Sequence, residues 1–336
     1  MLIMEKFKIL LTCPPMINTI HTYKELLNEN NINIDIPNFT QVMKEEDLIK
    51  IIGNYDGWII GDDPATEKVF NAGINGKLKA CIKWGVGVDN VDFEACKKFN
   101  IPITNIPGVF GESVSDVGIG MLLSITRQLH NIHIENKVNN WYKPCGMSLE
   151  NKKICLVGFG DIGRCSARKL LSFKSNIYVS DPGFEKNNNK IICKYDNNLY
   201  IEPFLNNVNI TTLEDALDNA DIIFITCALN KHTRYLINKE NILKCKKGVK
   251  IINVARGPIV KEDDLIELLE NNYVDSVGLD VFEEEPLNID NKLFNYKKCI
   301  FGSHNGSNAI EGVYKTSEIA IKQIKSYLNG NLEKIF

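Results

Sequence analysis

Two arrangements in this sequence could do chemistry. The first is Gly158-Phe159-Gly160-Asp161-Ile162-Gly163, a G-x-G-x-x-G run that follows the apolar stretch KICLV at 153–157. Such a turn cradles phosphates when a strand leads in and a helix leads out, and the flanking periodicity predicts both. Gly158 permits the tight turn, Gly160 lets backbone approach a pyrophosphate, and Gly163 lets the helix pack on the strand. The N–H groups at Asp161 and Ile162, with the dipole of the following helix, then face the anion. Asp181 ends the next apolar run, eighteen residues beyond Gly163. Its carboxylate would accept hydrogen bonds from ribose hydroxyls and repel a 2′-phosphate, which favours NAD over NADP. Lys186 and Lys190 lie downstream and pull weakly the other way. The second arrangement is dispersed: Arg256 in NVARGPIV, Asp280 and an acidic run in LDVFEEEP, and His304 in FGSHNGS. Singly, each has a dull reading. Arg256 could cap a sheet edge, Glu283–Glu285 could be a solvated charge run, and His21, His130, His133 and His232 all read as surface or packing histidines. Together they place a cation, a carboxylate and an imidazole at ends of strands, where open α/β sheets hold ligands.

The elements that must position these groups alternate along the chain. FKILLT (7–12), NINIDI (31–36), DGWII (56–60), LKACIKW (78–84) and IPIT (101–104) read as strands. Between them TYKELLNEN (22–30) and FEACKKF (93–99) read as helices. A long apolar-periodic helix is expected from Glu112 to about Asn136. The strand pattern then restarts with KICLV, IYVS (177–180), DIIFIT (221–226), VKIINV (249–254), VGLDV (277–281) and KCIFGS (298–303). One amphipathic helix is expected over 309–329. Strands alternating with amphipathic helices predict an α/β fold of doubly wound parallel sheets. The Asn-rich segment 183–209 breaks the rhythm and reads as a solvated surface excursion.

Composition narrows the class. A chain of 336 residues is comfortable as two domains, and 44% hydrophobic with 24% charged is an ordinary globular mix. The net charge of −3 gives no electrostatic footprint for nucleic acid or an anionic membrane. No apolar run approaches the ~20 residues that span a bilayer. The opening MLIMEKFKILLT carries Glu5, Lys6 and Lys8 within its apolar run and is not expected to be a secretion signal. Ten cysteines are scattered with no C-x-x-C pair, so no metal site is expected and a reducing, cytoplasmic setting is.

WGVGVDNVD (84–92), NIPGVFGESVSD (105–116), LVGFGDIGR, VSDP, NVARGPIV, DVFEEEP and SHNG follow one another in an order that resembles the D-isomer-specific 2-hydroxyacid dehydrogenase family over nearly the whole chain. GVGVDNVD and ESVSD look most like its phosphoglycerate dehydrogenase branch. The resemblance implies two doubly wound domains: a flavodoxin-like substrate domain of residues 1–108 completed by 305–336, and an inserted Rossmann NAD-binding domain of 109–304. It implies an active site in the cleft between them, and a dimerisation arm over about 112–150 that makes a homodimer.

The same resemblance assigns roles. Arg256 would grip the carboxylate of a small 2-hydroxy or 2-keto acid, which suits a planar, permanently charged fork. His304 would exchange a proton with the reacting oxygen, and Glu285, the acid just before proline, would stabilise its imidazolium. Glu283 and Glu284 would be the solvated members of that run. The N–H groups of Val86 and Gly87 would hold the substrate carboxylate, with Lys83 offering a second cation. Asp280 would meet the nicotinamide amide, near His304; Cys227 and Ala228 would wall the adenosine side, and Val254 and Ala255 would also touch the cofactor. Ser303 stands where the family often has proline, and Asn305 where it has an apolar residue. Gly61, Asp62 and Asp63 occupy a segment where phosphoglycerate-specific members often carry arginine, and two carboxylates there would repel a phosphate. Glyoxylate or hydroxypyruvate reduction, or another D-2-hydroxyacid dehydrogenase activity such as that on D-lactate or a sugar acid, is therefore the alternative within the family. A non-catalytic NAD sensor like the C-terminal-binding protein corepressors, which share this fold and triad, is the alternative of another class.

Overall fold

The computed structural model describes residues 6–335; Met1–Glu5, which open the first apolar run, and Phe336 lie outside the described residues. The chain divides into two compact units, Met1–Phe110 with Asn308–Phe336, and Gly111–Ser307. The junctions fall at 110/111 and 307/308, against the sequence placement at 108/109 and 304/305.

In the first unit, β1 (Phe7–Leu11), β2 (Ile32–Asp35), β3 (Gly57–Ile60), β4 (Ala80–Lys83) and β5 (Ile103–Asn105) form one sheet in the order β2-β1-β3-β4-β5. Every pairing is parallel, and the order is that of flavodoxin-like folds. GWII of β3 and ACIK of β4 are buried along their whole length, as strands covered on both faces must be. Trp58 is fully buried and donates its indole N–H to Thr12 Oγ1 at 2.9 Å. The helix Ile310–Leu328 rejoins this unit late in the sequence: Ile324 abuts Gly57 of β3, and Ser317 Oγ accepts from Trp84 Nε1 at 3.1 Å.

In the second unit the strands are β6 (Lys153–Val157), β7 (Asn176–Ser180), β8 (Phe184–Asn187), β9 (Lys190–Cys193), β10 (Asn209–Ile210), β11 (Ile222–Ile225), β12 (Val249–Asn253), β13 (Val274–Leu279) and β14 (Ile300–Phe301). Seven make a parallel sheet in the order β10-β7-β6-β11-β12-β13-β14. This is the Rossmann order with one more strand at the far edge, and its direction reverses between β6 and β11.

One expectation needs correction and another refinement. The helix expected over 112–136 is broken at Gln128, whose φ is +52°, into Gly111–Arg127 and Leu129–Lys137. Met147 N donates to Thr126 O at 2.8 Å, taking a carbonyl that a continuing helix would have used. The segment 183–209 is exposed over most of its length, as a solvated surface excursion should be, but it is more regular than its Asn-rich sequence implies. It holds the antiparallel hairpin β8–β9, then a short 3₁₀ helix at Pro203–Asn207, and then edge strand β10 begins. Ile191 is buried and its N–H donates to Asn206 Oδ1 at 2.8 Å, so the insert is cross-tied. No helix among the described residues is long and apolar enough to cross a membrane.

Candidate active site

The glycine turn begins one residue past β6. Gly158 has φ +96°, and a Cβ there would lie 2.7 Å from both N and Cα of Cys227, just past β11. The two strands at the reversal point therefore converge so tightly that only glycine fits. Gly163 has a similar reason: a Cβ would sit 2.3 Å from Gly158 O, so the helix Asp161–Ser172 lies directly on the turn. Gly160 differs. Its φ is −63°, and no heavy atom comes within 4 Å of a Cβ built on it. Nothing in the protein requires glycine at that point; a ligand backed against the turn would. Gly160 has no side chain to cap the helix it precedes, so the leading N–H groups, Asp161 and Ile162 among them, receive no acceptor from the cap residue. An anion fits there.

Asp181, one residue past β7, ties this turn to its neighbour. Its Oδ2 accepts from Phe159 N at 2.7 Å and its Oδ1 from Gly183 N at 2.8 Å. Each oxygen keeps a further acceptor site. Lys186 lies downstream but is committed elsewhere, donating to Asn206 O at 2.7 Å and Val208 O at 3.2 Å. Burial pushes the Cys227 thiol up to about 12, so it stays neutral. Ala228 follows it, its carbonyl accepting from Thr233 Oγ1 at 2.7 Å. Val254 and Ala255 are buried immediately beyond β12.

Farther along the same sheet edge, three loops carry the dispersed groups. His304 Nδ1 lies 2.7 Å from Glu285 Oε2, with both side chains about a third exposed or less. Glu285 Oε1 accepts from Phe282 N at 2.9 Å, which fixes the carboxylate. His304 itself has φ +54°, an uncommon conformation for a side-chain-bearing residue. Asp280 holds it there. The Asp280 carbonyl accepts from His304 N at 2.7 Å, and its carboxylate accepts from Asn305 N at 3.1 Å and Gly306 N at 2.8 Å. Asp280 is only 2% exposed, and burial raises its pKa against the pull of those two N–H bonds. Asn253, at the end of β12, shapes the arginine loop: Oδ1 accepts from Ala255 N at 3.0 Å and Nδ2 donates to Arg256 O at 2.9 Å. A Cβ on Gly257 would lie 1.8 Å from the carbonyl carbon of Phe282. The backbone after Arg256 is thus pressed against the segment that carries Glu285.

Sequence reasoning missed Asn253, Gly257 and the part played by Glu283. Glu283 is exposed as expected but not idle: it accepts from Glu262 N at 2.7 Å and from Tyr235 OH at 3.0 Å, binding the start of the helix Glu262–Glu270. The available signal was the glycine in ARGP, which follows a strand and needs a close neighbour.

In the first unit, Val86 and Gly87 lie in a partly exposed turn beyond β4, opened by Gly85 at φ +108°. Lys83 departs from its expected role. It is 3% exposed, and its ammonium is taken by Gly61 O at 2.6 Å and Asp62 Oδ1 at 3.1 Å. Asp63 turns inward, accepting from Met43 N at 2.8 Å and Gly61 N at 3.2 Å, and burial raises its pKa. So the two carboxylates expected to repel a phosphate do not act as an uncompensated pair.

The model of the D-isomer specific 2-hydroxyacid dehydrogenase NAD binding domain matches residues 119–306, more than half of the chain. The chain belongs to this dehydrogenase family. Among similar proteins, the glyoxylate reductase of Thermofilum pendens is 31% identical over 294 residues, 85% of this chain and 82% of that protein. The D-3-phosphoglycerate dehydrogenase of Bacillus subtilis is 33% identical over 267 residues, 79% of this chain but 48% of that protein. The fold matches D-lactate dehydrogenase from Aquifex aeolicus, solved with NAD and lactic acid, at a TM-score of 0.80 and 24% identity, covering 98% of this chain and 97% of that one. This dehydrogenase uses NAD, which when bound accepts or donates the hydride. At the turn the chain presents a set of backbone N–H groups and one acid, Asp181. At the far loops it is an imidazole held by a carboxylate, with a guanidinium loop locked beside it.

Proposed function

We propose that this dehydrogenase interconverts a small, unphosphorylated D-2-hydroxy acid and its 2-keto acid, with glyoxylate or hydroxypyruvate as the keto substrate. The observation that carries the reading is the 2.7 Å pair between His304 Nδ1 and Glu285, on a segment joined to the Arg256 loop through Gly257. In this reading Arg256 binds the substrate carboxylate and polarises the keto oxygen. His304 Nε2 exchanges the proton with that oxygen, while Glu285 stabilises the imidazolium. Asp280 keeps its proposed contact with the nicotinamide amide in addition to holding the His304 loop. Val86 and Gly87 remain the proposed backbone donors to the carboxylate, and Lys83, spent on Asp62, is left out. Lys83 and Asp62 neutralise one another, so Gly61–Asp63 offers no cation suited to a phosphate.

A panel of glyoxylate, hydroxypyruvate, pyruvate and 3-phosphohydroxypyruvate with NADH tests this. We expect kcat/KM for glyoxylate or hydroxypyruvate to exceed that for the phosphorylated acid by at least about tenfold, the discrimination that one missing charged contact supplies. The reverse ranking would favour a phosphoglycerate dehydrogenase. NADH binding with no turnover on any keto acid would favour the sensor class. The homodimer belongs to the same proposal: no residue of the helix Leu129–Lys137 is buried, and Leu129, Ile134, Val138 and Trp141 are all exposed. Sedimentation at equilibrium would measure it. Ten free thiols suit the proposed reducing, cytoplasmic setting.

A further inference from the structure

The insert between β7 and β10 is built against the cofactor turn. Phe184, the first residue of β8, meets Phe159 of the glycine run edge to face, with ring centroids 5.2 Å apart, and both are buried. The chain returning from β9 is pinned to the end of β7: Lys194 N donates to Gly183 O at 2.8 Å and Lys194 Nζ to Pro182 O at 3.1 Å. The next residue, Tyr195, lays its ring over Gly183. A Cβ built on Gly183 would be 3.0 Å from Tyr195 Cε2 and 3.1 Å from Asp181 Oδ1. The ring edge and the ribose-binding carboxylate therefore flank the same point. Yet Tyr195 is 82% exposed, an aromatic face presented to solvent beside the place where a nucleoside must sit.

We infer that Tyr195 forms one wall of the adenosine site and stacks on the adenine of NAD. A planar π-face beside the ribose acceptor recognises a heteroaromatic base without reading its edge. The inference adds to NAD binding a residue from the insert that the glycine motif does not contain. It also bears on cofactor choice. The insert's Lys186 and Lys194 both donate to backbone carbonyls, so a 2′-phosphate would meet Asp181 and a phenol ring rather than a committed cation site.

Calorimetric titration of NADH and of ADP-ribose into the wild-type protein, Tyr195→Ala and Tyr195→Phe tests it. The alanine variant should bind both ligands about tenfold more weakly, the scale of one lost base–aromatic stack, while the phenylalanine variant stays within about twofold. Thermal unfolding of the ligand-free variants controls for folding, and an exposed ring should leave the midpoint unchanged. Wild-type affinity for ADP-ribose in Tyr195→Ala would overturn the stacking assignment while leaving NAD binding intact. Equal losses in Tyr195→Ala and Tyr195→Phe would overturn it too, because the hydroxyl rather than the ring would then carry the contact. A wild-type protein that bound neither NADH nor ADP-ribose would instead refute the adenosine site altogether.

Discussion

Strand β13 carries an aspartate near each end, and the two are treated in opposite ways. At the amino edge of the sheet, Asp275 is paired with the buried Lys250 and accepts from Lys298 Nζ at 2.9 Å. Burial alone would raise its pKa, but the two lysines outweigh it and bring the carboxyl down to about 2. Asp221, on the same edge, accepts from Lys153 N and Lys246 Nζ, each at 2.9 Å. At the carboxyl edge, Asp280 meets backbone N–H groups instead, and its pKa is raised. Asp181 is likewise held by two backbone N–H groups. The amino edge cancels its charges with lysines and gains stability. The carboxyl edge satisfies Asp181 and Asp280 with neutral donors, which fixes loop geometry without adding a mobile counter-charge to compete with a ligand.

Substitutions at the two edges should therefore separate catalysis from stability. The largest effect belongs to the carboxyl edge: His304→Ala should lower kcat by about 10²–10⁴, the usual worth of a positioned proton donor, with little change in the urea midpoint. Full activity in that variant would remove His304 from the proton transfer. Next is Asp275→Asn, which leaves Lys250 buried without its partner. We expect a loss of about 2–3 kcal/mol, below the 3–5 typical of fully buried pairs because Asp275 keeps some solvent contact, and an unchanged NADH dissociation constant. The pH dependence has a definite sign. Asp275 titrates lower folded than unfolded, so its contribution is present above about pH 4 and is lost as the pH falls toward 2. Urea midpoints at about pH 5 and pH 3 should therefore differ less in Asp275→Asn than in the wild type; an equal fall in both would show that other groups dominate. The smallest effect sharpens the contrast within one turn. Gly160→Ala should leave stability within about 0.5 kcal/mol yet weaken NADH binding, since only a ligand fills the space beside it. Gly158→Ala, at φ +96° and against Cys227, should lose at least about 1–2 kcal/mol of stability.

Strand positions and the order of motifs were legible because β3 and β11 are apolar along their whole length, and β4 and β12 are apolar but for Lys83, Lys250 and Asn253, and such runs have few alternatives to a buried parallel strand. The pairing of His304 with Glu285 was legible only through the resemblance; the acidic run alone could not say which of three glutamates meets the imidazole. What escaped was decided by contacts remote in sequence. Gln128 breaks its helix because Met147 supplies a competing donor. Lys83 is spent on Gly61 and Asp62 twenty-odd residues earlier. The insert looked featureless because its order comes from cross-ties such as Ile191 to Asn206 rather than from periodicity.

The near-collision at Gly257 has a consequence for anyone seeking to retune this dehydrogenase. With the chain after Arg256 and the carbonyl of Phe282 in mutual contact, neither loop can be lengthened, shortened or transplanted by itself. A graft meant to reshape acid selectivity would have to carry residues 253–257 and 280–285 as one cassette, because displacing the guanidinium also displaces the acid that steadies the imidazole.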